Sequence, residues 1–175
     1  NKHSKEDNLI NKHLMVNYND ETNDNDEDDE DGEIANIVDS KSINYKLYEK
    51  NDKFVAIISK SPKVTGDVFV PKFVIWNSKE YKVVKIGDNA FSGTNINSLS
   101  FANDSDVKII GESAFEKSKI TSLSFPKSLI KIANSWCQGA DKLNIITVDK
   151  NNPYFSSQNN FLIYKKSSAR KILFV

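Results

Sequence analysis

Between residues 86 and 148 apolar and polar residues return in a fixed order. Ile86-Gly87-Asp88-Asn89-Ala90-Phe91 is followed by Ile96-x-x-Leu99-x-Phe101, and the two phrases recur as Ile110-Gly111-Glu112-Ser113-Ala114-Phe115 and Ile120-x-x-Leu123-x-Phe125. A worn third copy reads Ile132-Ala133-Asn134-Ser135-Trp136-Cys137, then Leu143-x-x-Ile146-x-Val148. The copies lie 24 and then 22 or 23 residues apart, so length varies between the phrases and not within them. In each second phrase the last two apolar residues alternate with polar ones, the mark of a strand with one buried face. The Gly-x-x-Ala-Phe phrase has room for no more than one turn of helix, so the pattern predicts strands separated by short helical turns.

The alternation continues on both sides of the repeats. Ile43, Tyr45 and Leu47, the turn at 50–53 and Phe54 to Ile58 predict a hairpin. Val68 to Pro71 predicts a further strand, and Phe73 to Trp76, reversing at 77–80 into Tyr81 to Val84, a second hairpin. The chain thus divides into an acidic, disordered tail (1–42), an N-terminal β cap (43–82), three repeats (83–148) and a β-hairpin insertion at which the array is expected to be truncated (149–175). A period in the twenties with an L-x-x-L-x-L rhythm predicts a β-rich solenoid of leucine-rich repeats. One unit cannot close a core, but stacked units bury about five apolar side chains on each neighbour, each contributing roughly 1.5–3 kcal/mol before ordering entropy is subtracted. The expected core comprises Ala90, Phe91, Leu99 and Phe101, then Ala114, Phe115, Leu123 and Phe125, then Cys137 and Ile146.

Three phrases carry a family resemblance. Val68-Phe69-Val70-Pro71 leading to Val84-Lys85-Ile86-Gly87-Asp88-Asn89-Ala90-Phe91-Ser92-Gly93-Thr94 resembles the opening of BspA-type leucine-rich repeat proteins. Phe125-Pro126-Lys127-Ser128-Leu129-Ile130-Lys131-Ile132 is similar to their inter-repeat phrase, and Asp149 to Ser157 with Phe161 to Tyr164 to their hairpin insertion. The Asn- and Lys-rich wording, with Arg170 the single arginine, looks more like protozoan members than bacterial ones. The resemblance implies a right-handed superhelix and a surface antigen or adhesin that binds host matrix protein, glycan or another cell. The third repeat departs from the pattern, with Trp136 for Ala and Cys137 for Phe, a pair of swaps that conserves total volume. The chain starts at Asn1 and stops in mid-phrase at Val175, so the natural protein is expected to be longer.

Charge is divided unevenly along the chain. Residues 1–40 hold 13 acidic residues against three lysines, a balance of −10, and residues 41–175 hold 21 basic against 11 acidic, a balance of +10. Ten acids fall in the fourteen positions from Asp20 to Glu33, too charged a run to fold on itself. Glu27, Asp29, Asp31 and Gly32 approximate a calcium loop, but its first position would be Glu and its closing ligand Val38, so no metal is expected. Lone Cys137 cannot form an internal disulfide and fits a small buried apolar position. No run of 18 apolar residues exists to span a membrane as a helix.

On the strands, Ser98, Ser100, Ser122, Ser124, Ile145 and Thr147 are expected to point outward as a mostly hydroxyl-bearing column. It suits contact with protein or glycan, and equally describes any solvated strand ladder. Lys85, Lys108 and Lys131 precede the apolar start of each repeat and form a basic column that would attract anionic partners or the acidic tail. Nucleic acid is not expected, because neither aromatics nor arginine interleave those lysines. His3 and His13 are the only histidines and both lie in the tail; with no phosphate loop, zinc-ligand cluster or Ser-His-Asp set, the chain reads as a non-enzymatic module without cofactor. Asn103-Asp104-Ser105 is the single glycosylation sequon. Two readings remain, a cell-surface or extracellular adhesin and an intracellular protein scaffold.

Overall fold

The computed structural model describes residues 32–165 and the backbone of 171–174. The disorder expected of residues 1–31, both histidines and the calcium-like ligands Glu27, Asp29 and Asp31 lie outside the described residues. In chain order the elements are β1 (Glu33–Val38), β2 (Asn44–Lys50), β3 (Lys53–Ile58), β4 (Thr65–Val70), β5 (Phe73–Trp76), β6 (Lys79–Ile86), β7 (Asn95–Phe101) and β8 (Ile109–Ile110). They continue with β9 (Ser122–Phe125), β10 (Lys131–Ile132), β11 (Ile145–Val148), β12 (Phe155–Gln158), β13 (Phe161–Tyr164) and β14 (Lys171–Phe174).

These strands build the coils of a solenoid. A first sheet runs β1-β2-β3-β6-β8-β10, with β5 on β6; a second runs β11-β9-β7-β4; β12, β13 and β14 form a third. Each coil gives a short strand to the first sheet, crosses a turn segment and gives a strand to the second, so neighbouring coils pair in parallel in both. β3 also lies parallel to β6, and β4 to β7. Residues 57–70 therefore describe one more coil, inside the segment expected to be cap. β1, within the expected tail, is an edge strand paired antiparallel with β2.

No helix occurs among the described residues, and the expected short helical turns are corrected on that ground. The physical reason lies in the backbone. Asn89, Ser113 and Ser135 have φ of 57, 53 and 55°, and four residues on Gly93, Lys117 and Gly139 have φ of 68, 54 and 70°. A right-handed helix cannot pass through left-handed residues at that spacing. The amides of Ala90, Ser92 and Thr94 instead close turns on Gly87, Asn89 and Phe91, while those of Asn89, Phe91 and Gly93 donate to the carbonyls of Glu112, Ala114 and Glu116 in the next coil. Gly111 is required by the closeness of that stacking, since a Cβ there would lie 2.6 Å from the Asp88 backbone nitrogen.

The core is a file of rings between the two main sheets. Phe91 and Phe115 stack at 5.5 Å and 24°. The Trp136 ring meets Phe115 edge-on at 6.1 Å and Phe125 at 5.7 Å. Cys137 is buried at the end of the file. After the third repeat, buried Asn152 fixes the following hairpin: its amide nitrogen donates to the Pro126 and Leu129 carbonyls, and its Oδ1 accepts from the amides of Tyr154 and Phe155.

Candidate functional site

The outward face of the second sheet carries two rows of side chains. Parallel pairing aligns Asp67 with Ser98, Ser98 with Ser122, and Ser122 with Ile145. A second row holds Phe69 beside Ser100 in one pair of strands and Ser124 beside Thr147 in another. The strands face this way because Val68, Val70, Leu99, Phe101, Leu123, Phe125 and Ile146, which alternate with these residues, are buried. Ser100, Ser124, Ile145 and Thr147 are exposed, and Ser98 and Ser122 half-buried. The six residues expected to share one face do so.

Sequence reasoning predicted the first strand of this surface but did not place it in this sheet. β4 was assigned to the cap, although Val68-x-Val70 has the spacing of Leu99-x-Phe101; it brings in Asp67 and Phe69, the latter 60% exposed. Asp67 Oδ1 accepts from Ser98 Oγ at 2.7 Å and Asn97 Nδ2 at 2.8 Å. Those two bonds, Ser98 first, hold its carboxyl below the usual carboxylate range. At the far end Thr147 donates to Ser124 at 2.9 Å. The surface is thus a shallow hydroxyl strip flanked by an aromatic ring at one end and by Ile145, 50% exposed, at the other. It has polar positions to orient a partner and two apolar ones to anchor it.

The lysines lie on the first sheet, in a register the repeat did not reveal. Lys85 and Lys131 both pair with Ile109, and Lys108 stands one residue earlier. The Lys108 amide donates to Val84, and its carbonyl accepts from Ile130 and Lys131. Asn103 is exposed in the return loop after β7, while Ser105 of its sequon is buried and accepts from the Val107 amide at 3.1 Å.

A family model of the BspA-type leucine-rich repeat region matches residues 74–169, more than half of the chain. The chain belongs to the BspA-type leucine-rich repeat family. Solenoids of this type are non-catalytic scaffolds, and among the described residues no group of three or more His, Cys, Asp or Glu could hold a metal ion. No described helix is long and apolar enough to cross a membrane. A search of the curated proteins finds no match.

Solved structures give distant likenesses. The pneumococcal vaccine antigen PcpA is 12% identical over 77% of this chain and 55% of its own, with a TM-score of 0.42. A leucine-rich repeat protein from Bacteroides capillosus is 19% identical over 66% of this chain and 99% of its own, with a TM-score of 0.45. A leucine-rich cell surface protein from Faecalibacterium prausnitzii is 14% identical over 80% of this chain and 61% of its own, with a TM-score of 0.33. The chain spans a little over half of PcpA. These relatives are bacterial, whereas the Asn- and Lys-rich wording had pointed to protozoan members.

Proposed function

We propose that this BspA-type module is a cell-surface adhesin or antigen that binds a host matrix protein or a glycan on the outward face of its second sheet. One observation carries the reading: residues from β4, β7, β9 and β11 form a continuous strip of small hydroxyls bracketed by exposed Phe69 and Ile145. A stacked array presents such a strip rigidly, so a partner is ordered against it at little conformational cost to the module.

The test is binding of the full chain to immobilised matrix proteins and to a glycan array. Phe69→Ser and Ile145→Ser remove the two anchors, and Ser100→Arg with Ser124→Arg obstructs the strip. Each is expected to weaken the best ligand at least about tenfold, corresponding to about 1.4 kcal/mol, with an unchanged thermal midpoint. Equal binding by all the variants would move the contact elsewhere. Antibody labelling of intact, unpermeabilised cells tests the surface placement; labelling only after permeabilisation would favour an intracellular scaffold with the same binding face.

A further inference from the structure

The outward face of the first sheet carries a row that crosses β1, β2, β3, β6, β8 and β10. Pairing aligns Asn36 with Lys46, Lys46 with Ile57, Ile57 with Lys85, Lys85 with Ile109 and Ile109 with Lys131. Its chain neighbours Tyr45, Leu47, Ala56, Ile58, Ile86, Ile110 and Ile132 are all buried, which turns the row outward. A lysine therefore recurs on alternate strands, about 9.6 Å apart at the usual interstrand spacing, with isoleucines between.

We infer that the acidic run Asp20 to Asp31 docks along this row, its carboxylates against Lys46, Lys85 and Lys131. Charge complementarity is one argument: of the ten acids between Asp20 and Glu33, all but Glu33 belong to this run, leaving nine to meet three ammonium groups. Continuity is the second. Glu33, the last acid of the series, already pairs with Lys46 at 3.4 Å, so the series begins on the row. Reach is the third. Five strand steps separate β1 from β10, about 24 Å, and twelve extended residues span up to about 40 Å. Tethering next to the site gives the run an effective concentration on the order of millimolar, which an external polyanion must overcome. The row is thus a polyanion site occupied from within, separate from the second-sheet strip.

Two measurements on the full chain test this. Carbodiimide coupling joins a carboxylate to a contacting lysine as an amide with loss of water; mass spectrometry should find residues 20–31 linked to Lys46, Lys85 and Lys131, and lose those links in 0.5 M NaCl, about three times physiological ionic strength. Links spread evenly over the surface lysines, or none to the row, would overturn the inference. Replacing the nine acids by Asn or Gln should tighten heparin binding and steepen its log K against log salt. Adding Lys46→Ser, Lys85→Ser and Lys131→Ser should cancel that gain, while Lys60→Ser, Lys63→Ser and Lys142→Ser should leave it. Equal loss from both triples, at equal thermal midpoints, would mean that net charge alone drives binding and would also overturn it.

Discussion

Reversing the two swapped residues of the third repeat tests the packing of the solenoid core. Trp136 is buried with its ring against Phe115 and Phe125, and Cys137 occupies the file position held by Phe91 and Phe115 in the earlier coils. Trp136→Ala empties the ring site and should cost about 3–5 kcal/mol. Cys137→Phe forces a ring into space the indole already fills, at about 1–3 kcal/mol. If the sites were independent the double variant would lose about 4–8 kcal/mol. Because the new phenylalanine would lie where the indole was removed, a coupling of about 3 kcal/mol is expected, at the upper end for contacting residues. The readout is the urea midpoint followed by far-ultraviolet circular dichroism at constant m, since Trp136 is lost as a fluorophore. Adding Cys137→Phe to Trp136→Ala should raise the midpoint. A double variant less stable than Trp136→Ala alone would refute the account of one shared volume.

Two further outcomes follow from the turns and the cap. Lys117 occupies the left-handed position that is glycine in the flanking coils, Gly93 and Gly139. Lys117→Gly removes about 1–2 kcal/mol of strain against about 0.5–1 of added backbone entropy, and should raise the melting midpoint by about 2 °C; a fall would show that the lysine side chain outweighs its backbone. In the cap, buried Tyr81 donates its hydroxyl to Glu49, which together with Lys79 outweighs desolvation and holds the Glu49 carboxyl below its ordinary 4.5. That contribution is present above pH 4.5 and lost as pH falls through the depressed native value. Burial first, then Glu49, pushes Tyr81 up to about 12, so its contribution is present below pH 10 and lost between there and about 12. Tyr81→Phe should therefore flatten the decline of the urea midpoint below pH 4.5 and lessen the alkaline one above pH 10, to which Tyr45, raised by burial and then by Asp39, also contributes; unchanged slopes at both ends would refute the pairing.

The repeat was legible because its apolar residues face one core in every coil, a constraint that writes the same letters at the same spacing. Ser100, Ser124 and Thr147 could be placed outward for the same reason: alternation fixes a face once its buried neighbours are known. The left-handed turns were not legible. Glycine announces them at 93 and 139, but Asn89, Ser113, Ser135 and Lys117 adopt the same conformation and read like residues of a short helix. The pairing of β4 with β7 was hidden by the β5–β6 hairpin, which separates its coil from the repeats that follow. β1 was hidden by composition: Ile34, Ala35, Ile37 and Val38 were present, but the acids before them dominated the segment. Lys108 falls outside the lysine row because Ile110 pairs with Ile86 and Ile132, which puts Ile109, and not Lys108, between Lys85 and Lys131.

Cohesion and recognition use different groups in this solenoid. Adjacent coils are joined by backbone amides at alternate turn positions, by parallel pairing within two sheets and by the ring file between them. All three depend on backbone geometry or inward side chains. The outward side chains of the second sheet take part in none, apart from local bonds such as Ser98 to Asp67 and Thr147 to Ser124. Substitutions there can consequently change what the strip contacts with little effect on whether the coils stack, within the roughly ±0.5 kcal/mol usual for surface positions. Gly111 is the opposite case, because even a methyl group would press on the backbone of the preceding coil. That separation lets the outward strip change while the stack is kept.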